Sequence, residues 1–360
     1  MKKKSFLHNI YRFSYCHVVR LTSSYFFKNI RKWKDIKDKY KGNRCFLIAN
    51  GPSLNMTPLY LFRDEYTIMF NRAGLIIERL NYFPKFYMIA DGLVGQNIKD
   101  EINLYVEKCE SVFVPDINKG ELVRFTEFVP FKDNVYYMYE EPKKFSHTLP
   151  FMNVGGTVIY AAFQVLMYLG FDEVIVVGND MNYVIHKSVE VLTEEKNKKG
   201  TYQNIRSTKD DDPNHFDPRY FGKGKEYHQP TEAIVNNIFA SLDRVAAEYK
   251  KAGVKVVNAG YNSMVKSFPK QDFYVALGYS QEKIDELFDD LVKSKCQISK
   301  NELIDKAILK DDVWSEDLDI VSVSTAIATD IVKKKVLDYL PLGPYNDKLY
   351  FVNRKTFNLS

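Results

Sequence analysis

No pair of cysteines in this sequence is spaced as a metal knuckle or a disulfide framework. Cys16, Cys45, Cys109 and Cys296 stand alone, without a CxxC, which fits a reducing compartment and suggests no zinc site. No apolar run approaches the roughly 18 residues of a membrane span. The amino terminus is a poor secretory signal, because His8, Asn9 and Arg12 interrupt its apolar stretch and no small-residue cleavage site follows. A cytoplasmic protein is expected, with no nucleic-acid partner and no resident metal. Neither GxxxxGK[ST] nor GxGxxG occurs, so a Walker loop and the dinucleotide fingerprint are excluded. There is no internal repeat and no low-complexity tract.

What is present is the composition of a globular chain. Its 360 residues are 45% hydrophobic and 27% charged, enough for one large domain or two modest ones with a full core. The net charge of +5 is uneven, with twelve Lys and Arg before Asn43 against Asp35 and Asp38. Among those basic residues Phe6, Leu7, Ile10, Tyr11, Phe13, Val18, Leu21, Tyr25, Phe26, Ile30 and Trp33 recur at roughly helical spacing. Two readings stand for residues 1–42. The helix packs on its own domain or a sister subunit, as in a homo-oligomer, or it lies on an anionic membrane surface at the inner membrane face.

From Arg44 onward short apolar segments alternate with helical patterns. RCFLIA (44–49), YTIMF (66–70), KFYMIA (85–90), SVFVP (111–115), EVIVV (173–177) and VKVVNA (254–259) read as strands. Helical patterns include GQNIKDEINLYVEKC, GGTVIYAAFQVLMYLG and TEAIVNNIFASLDRVAAEYKKAG, and Thr57-Pro58 reads as a helix start. Strands apolar on both faces, alternating with helices, give an α/β class: a Rossmann-like, open, mostly parallel sheet with helices on both faces. The expected organisation is a basic helical segment (1–42), a Rossmann-like α/β domain (43–275) and an accessory helical region (276–360). A polar stretch without periodicity, about 181–229, reads as a long lid loop.

Ligands of such sheets bind beyond the carboxyl ends of the strands. There the sequence places Asn50-Gly51, Asn71, Asp91-Gly92, Gly178-Asn179-Asp180 and Asn258-Ala259-Gly260. Each alone is a turn residue; together they make a polar crevice. Gly51 lets a backbone approach a ligand, and the amides of the turn through Ser53 can point at a phosphate. Gly155-Gly156 before Thr157 offers a second set of amides, or a plain turn with close helix–sheet packing. His228, ahead of Pro230 in the lid, can act as a general base, with His215 as its rival. Asp210 and Asp212 form a DxD pair, for a divalent metal or as a solvated acidic turn.

Taken in order, LIANGPSLN, FNRAG, YMIADG, GGTVIYAAFQVLMYLGFDEVIVVGNDMNY and YHQPT resemble the bacterial sialyltransferases of glycosyltransferase family 42. They are still more similar to the motility-accessory-factor and lipopolysaccharide-associated proteins, over about residues 44–273. The resemblance implies an inverting glycosyltransferase that moves a nonulosonic-acid-type sugar from a CMP-activated donor to a surface glycan or glycoprotein acceptor, without a cofactor. By resemblance Asn50 and Gly51 contact the donor phosphate or ribose, and Asn71 and Asp91 face the donor. Thr157 sits near the sugar carboxylate, and His228 is the base. Ser53, Gly156, Asn179 and Asp180 complete the donor site, and Tyr183, Tyr220 and Tyr227 compete for the role of phosphate-binding lid tyrosines. The family's arginine ahead of the Gly-rich helix start has no counterpart near Met152-Asn153. A similar resemblance reaches archaeal 6-hydroxymethylpterin diphosphokinases. It implies Mg²⁺ and ATP, with Asp91, Asp180 and Asp210 or Asp212 on the metal. A third alternative is a non-catalytic scaffold in glycan assembly.

Overall fold

The computed structural model describes residues 2–80, 82–141, 145–192, 202–286, 288, 320–324, 339–345 and 348–353; Cys296 and most of the C-terminal region lie outside them. The chain opens with helices α1 (Lys2–Thr22) and α2 (Phe26–Asp35). Strands β1 (Arg44–Ile48) and β2 (Tyr66–Phe70), helix α3 (Gly74–Leu80) and strand β3 (Phe86–Met88) follow. Next come α4 (Gly92–Asn97), α5 (Lys99–Lys108), β4 (Ser111–Pro115), β5 (Val135–Glu140) and β6 (Phe151–Met152). Then α6 (Val158–Leu169) leads to β7 (Glu173–Val177), and short strands β8 (Val189–Val191), β9 (Tyr202–Ser207) and β10 (Glu226–Pro230) precede α7 (Glu232–Ala252). Strand β11 (Lys255–Asn258) and helix α8 (Phe273–Leu277) complete this part, ahead of β12 (Ile320–Ser324), β13 (Tyr339–Tyr345) and β14 (Lys348–Asn353).

Eight strands form one sheet in the order β11-β7-β1-β2-β3-β4-β5-β6, and every neighbouring pair is parallel. Side chains alternate across a strand, so each strand feeds two cores. Cys45 and Leu47 join Trp33, α6 and α7 on one face, while Phe46 and Ile48 join α3, α5 and α8 on the other. This is why the strands read as unbroken apolar runs: both faces are covered. Helix α6 is apolar around nearly its whole circumference and buried accordingly. Thr157 caps its start and Gly170, at φ 86°, ends it in the left-handed conformation.

The α/β class and its parallel sheet hold, and the six strands expected from the sequence all form. Three local expectations are corrected. Thr57-Pro58 starts no α-helix: Thr57 Oγ1 donates backwards to the Ser53 carbonyl at 3.0 Å, and only a short 3-10 turn, Leu59–Phe62, follows. The 181–229 stretch is not simply a loop, since β10, β9 and β8 form an antiparallel sheet. Pro230 ends β10 rather than starting a helix, and α7 is entered through Thr231. Such strands bury little apolar surface and so lack the pattern that marks the main sheet. After Tyr279 the described residues hold helical turns over 281–286 and also a second antiparallel sheet, β12-β14-β13.

The amino-terminal helices pack on their own domain. Strand β6 pairs only with Tyr139 and Glu140 of β5, leaving the rest of that edge open. Helix α2 covers it. Asn29 Nδ2 donates to the Tyr137 carbonyl at 2.8 Å and its Oδ1 accepts from the Tyr137 amide at 3.0 Å. Trp33 Nε1 donates to the same carbonyl at 3.0 Å, and Lys32 Nζ to that of Val135 at 2.6 Å. A side-chain amide thus stands in for the missing strand, which removes an exposed edge. Among the described residues no helix is long and apolar enough to cross a membrane.

Candidate active site

Strand order reverses between β1 and β7, and in an open parallel sheet that is where a ligand fits. The turns leaving these two strands hold each other in place. The Ser53 amide donates to Asp180 Oδ2 at 2.8 Å, and the Ser53 hydroxyl to Oδ1. Burial pushes the Asp180 carboxyl above the usual carboxylate range, against the two Ser53 bonds that favour its charged form. A Cβ on Gly51 would lie 2.5 Å from the Asp180 carboxyl carbon. Gly51 therefore makes room for Asp180, and Ser53 and Asp180 hold each other.

Beyond this lock two connected hollows open. The inner one, about 130 Å³, is lined by Asn50, Gly51, Asn71, Thr157, Asn179, Asp180, Tyr183 and His215. The outer one, about 760 Å³, is lined by Asn71, Asp91, Gly156, Thr157, Tyr183, His215, Tyr227 and His228. Of the residues expected at the site, Ser53, Gly92, Asp210 and the Asn258-Ala259-Gly260 turn line neither. Asn179 is 4% exposed and its Nδ2 has no hydrogen-bond partner. A buried amide donor facing a hollow without a partner is costly unless a ligand takes it. At the start of α6, Gly155 is fixed by packing, since a Cβ there would lie 2.3 Å from the Tyr160 ring. Gly156, at φ 81°, is needed for its conformation.

His228 lies on β10 directly opposite Asn204 of β9, and its Nδ1 bonds Asn204 Oδ1. Because that oxygen only accepts, Nδ1 carries the hydrogen and Nε2 keeps its lone pair in the neutral ring. Nε2 lies 3.7 Å from Glu121 Oε1. The Glu121 carboxylate, helped by the charge of Asp91, raises the imidazole above its ordinary value, although burial opposes this. Asp91 itself caps α4, its Oδ1 accepting from the Val94 amide at 2.9 Å. The loop after β4 holds Glu121 in place. Asn118 Nδ2 donates to the Ala90 carbonyl and its Oδ1 accepts from the Glu121 amide, each at 2.9 Å.

His215 stands at the junction of the two hollows. Its Nδ1 meets Asp212 Oδ2 at 2.8 Å, and its ring stacks on Tyr220 with centroids 3.8 Å apart. Burial alone would raise Asp212, but the charge of His215 and the amides of Asn214 and Phe221 hold it below the usual carboxylate range. Tyr227 is buried against Phe221 and bonds His186 Nδ1, whose Nε2 reaches Asp211 Oδ1 at 2.8 Å. Burial pushes the Tyr227 phenol up to about 12, so it remains a hydrogen-bond donor. Arg72 ties the lid to the end of β2 through the Arg219 carbonyl at 2.6 Å and that of Tyr220.

Glu121, Glu140 and Arg12 line the outer hollow as well and went unnoticed in the sequence. Glu121 follows the end of β4, a strand end of the same kind as those read for the others. Arg12 had a signal too: with Cys16 and Arg20 it forms one helical stripe.

Residues 22–186 match a family model described as 6-hydroxymethylpterin diphosphokinase MptE-like. The resemblance drawn from LIANGPSLN, FNRAG, YMIADG and the α6–β7 run falls within the matched residues. No curated protein matches the chain. Among solved structures, a MAf glycosyltransferase from Magnetospirillum magneticum AMB-1 is similar at 14% identity and TM-score 0.40, over 86% of this chain and 49% of that one. This chain thus spans about half the length of that relative. The sialyltransferase CstII from Campylobacter jejuni, in complex with the substrate analogue CMP-3FNeuAc, is similar at 13% identity and TM-score 0.34, over 63% of this chain and 85% of that one. The same enzyme with cytidine-5′-monophosphate gives 12% and 0.35, over 64% and 85%.

Proposed function

We propose that the chain is an inverting glycosyltransferase that moves a nonulosonic-acid-type sugar from a CMP-activated donor to a hydroxyl of a surface glycan. The observation that carries this reading is the unpartnered Asn179 amide at the β1/β7 switch, in a hollow that shares Asn71, Thr157, Tyr183 and His215 with the one lined by His228. In this reading the nucleotide occupies the inner hollow and takes the Asn179 donor. Sugar and acceptor share the outer one.

The acceptor oxygen attacks the anomeric carbon as the bond from that carbon to the phosphate oxygen breaks, and CMP leaves with the electron pair. His228 Nε2 receives the acceptor proton, and Glu121 and Asp91 stabilise the imidazolium that results. His215, at the junction, is placed to donate a hydrogen bond to the departing phosphate, while the Tyr227 hydroxyl is held by His186. Replacing His228 by Ala, with the fold verified, should cost roughly 10²–10⁴-fold in turnover. Full retention of activity would remove His228 from the mechanism.

The family match favours a second reading, an ATP-dependent diphosphokinase with Mg²⁺. Its expected metal carboxylates do not converge. Asp180 is bound to Ser53, Asp212 to His215 and two amides, and Asp210 Oδ1 accepts from the Lys223 amide. Among the described residues no three His, Cys, Asp or Glu side chains gather as a metal site. Thermal unfolding with CMP, and with ATP plus Mg²⁺, separates the readings. A ligand at about 100 times its Kd stabilises by roughly 2.7 kcal/mol. A response to ATP and Mg²⁺ but not CMP would transfer the assignment to the kinase, and no response to either would leave a scaffold.

A further inference from the structure

The outer hollow is lined by four acidic residues, Asp91, Glu121, Glu140 and Asp212, an environment that repels an anion. It also contains Arg12, and the Nε of that side chain is buried with no hydrogen-bond partner. Arg12 comes from α1, outside the sheet. Arg12, Cys16 and Arg20 recur every four residues and so share one face of that helix. Arg20, 2% exposed, is fixed by a two-pronged bond to the buried Asp116, Nε to Oδ2 at 2.7 Å and Nη2 to Oδ1 at 2.9 Å. Cys16 is buried beneath the same face, His17 Nε2 lies 3.6 Å from Glu141 Oε1, and Lys119 sits over the Phe13 ring at 5.1 Å. The helix is therefore bolted down at Arg20, and its rise of about 1.5 Å per residue carries Arg12 roughly 12 Å further along, into the hollow. A guanidinium delivered to this acidic hollow, its Nε without a partner, is suited to a planar anion, which it grips with two parallel N–H donors. Arg12 does not line the inner hollow assigned to the nucleotide.

We propose that Arg12 binds the carboxylate of the acidic sugar being transferred, so that α1 supplies the donor-specificity residue of the cleft. This rests on the CMP-sugar reading given above. It also accounts for the absence of an arginine ahead of Gly155: the cation arrives from another part of the chain. The surrounding carboxyl groups then confine the sugar's charge to one place and reject other anions.

The test is calorimetric binding of CMP and of CMP-N-acetylneuraminate to the full chain, wild type against Arg12→Ala, Arg12→Gln and Arg12→Lys. Arg12→Ala and Arg12→Gln should weaken the CMP-sugar by roughly 10- to 100-fold, the scale of one charge-assisted pair, and leave CMP within twofold. Arg12→Lys should recover part of the loss. Equal weakening of both ligands would place the contact on the phosphate and overturn the proposal. So would unchanged donor binding accompanied by a raised acceptor KM, which would assign the anion to the acceptor. Unchanged binding of everything overturns it outright. If wild type binds CMP-N-acetylneuraminate no better than CMP, the acidic-donor reading itself fails, and that result is visible before any variant is made.

Discussion

His228 Nε2 and Glu121 Oε1 face each other at 3.7 Å, one carried by the lid sheet and the other by the loop after β4. Glu121 holds the imidazole above its ordinary value. A general base works in its neutral form, so activity should fall as pH drops through this raised value. Glu121→Gln keeps the shape and removes the charge, and its acid limb should therefore move to lower pH. A pH–rate profile in which the limb stays in place would show that Glu121 has no influence on the base.

Asn179 gives a prediction that separates binding from stability. Asn179→Ala removes a donor that has no partner in the protein. Ligand-free thermal stability should change little, while nucleotide affinity falls about tenfold, the value of one well-made hydrogen bond. Loss of melting temperature with unchanged affinity would make Asn179 structural.

The lock between the two switch-point turns should be sensitive at its smallest member. Gly51→Ala drives a methyl into the Asp180 carboxyl carbon at 2.5 Å, and Ser53→Ala takes a hydroxyl donor from a buried carboxyl. About 1–3 kcal/mol is expected for the serine change, and more for the glycine, because backbone as well as side chain must shift. Denaturant midpoints measure both.

The edge covering of β5 makes a further stability prediction. Asn29→Ala leaves the buried Tyr137 amide without its acceptor, at a cost of about 1–3 kcal/mol. Trp33, fully buried, should cost about 3–5 kcal/mol when cut to Ala. If Asn29→Ala melts with wild type, another group must complete that edge.

The outer face of the amino-terminal helices retains the membrane reading as a proposal. Val18, Leu21 and Phe27 are 60%, 62% and 75% exposed, and Lys28, Arg31 and Lys34 are exposed beside them. Sedimentation with phosphatidylglycerol vesicles at low salt should bring down wild type and leave Leu21→Glu/Phe27→Glu in solution. Phosphatidylcholine vesicles should bind neither. Equal behaviour of the two proteins would retire the idea.

The main sheet was legible because strands buried on both faces leave continuous apolar runs such as Cys45–Ala49 and Val174–Val177. Their ends could then be read as one polar edge. Strand β5 was missed: its VYYMYE sequence is rich in tyrosine and precedes no turn of the kind that marked the others. The lid strands were missed for the opposite reason, since β9 and β10 are mostly polar, with Ile205 and Tyr227 as their buried pair, and gain their order from pairing. His228 was found as a residue type in a place, but its partners Asn204 and Glu121 come from distant segments that only the folded chain brings together. The close approach of Asp180 to Gly51 was not legible, because a sequence does not show which atom stands where a glycine's side chain would be.

The attachment of α2 to β5 also sets a clock. Asn29 pairs with Tyr137, 108 positions later, and Lys32 with Val135, 103 positions later. During synthesis the two helices emerge before the strand that receives them and wait for about a hundred residues until it exists. Until then Trp33 and the Arg12–Cys16–Arg20 stripe are uncovered, and long-range closure of this kind is slow. The segment that carries Arg12 is thus made well before the strands it docks on, so the cleft is completed only when that segment folds back onto them.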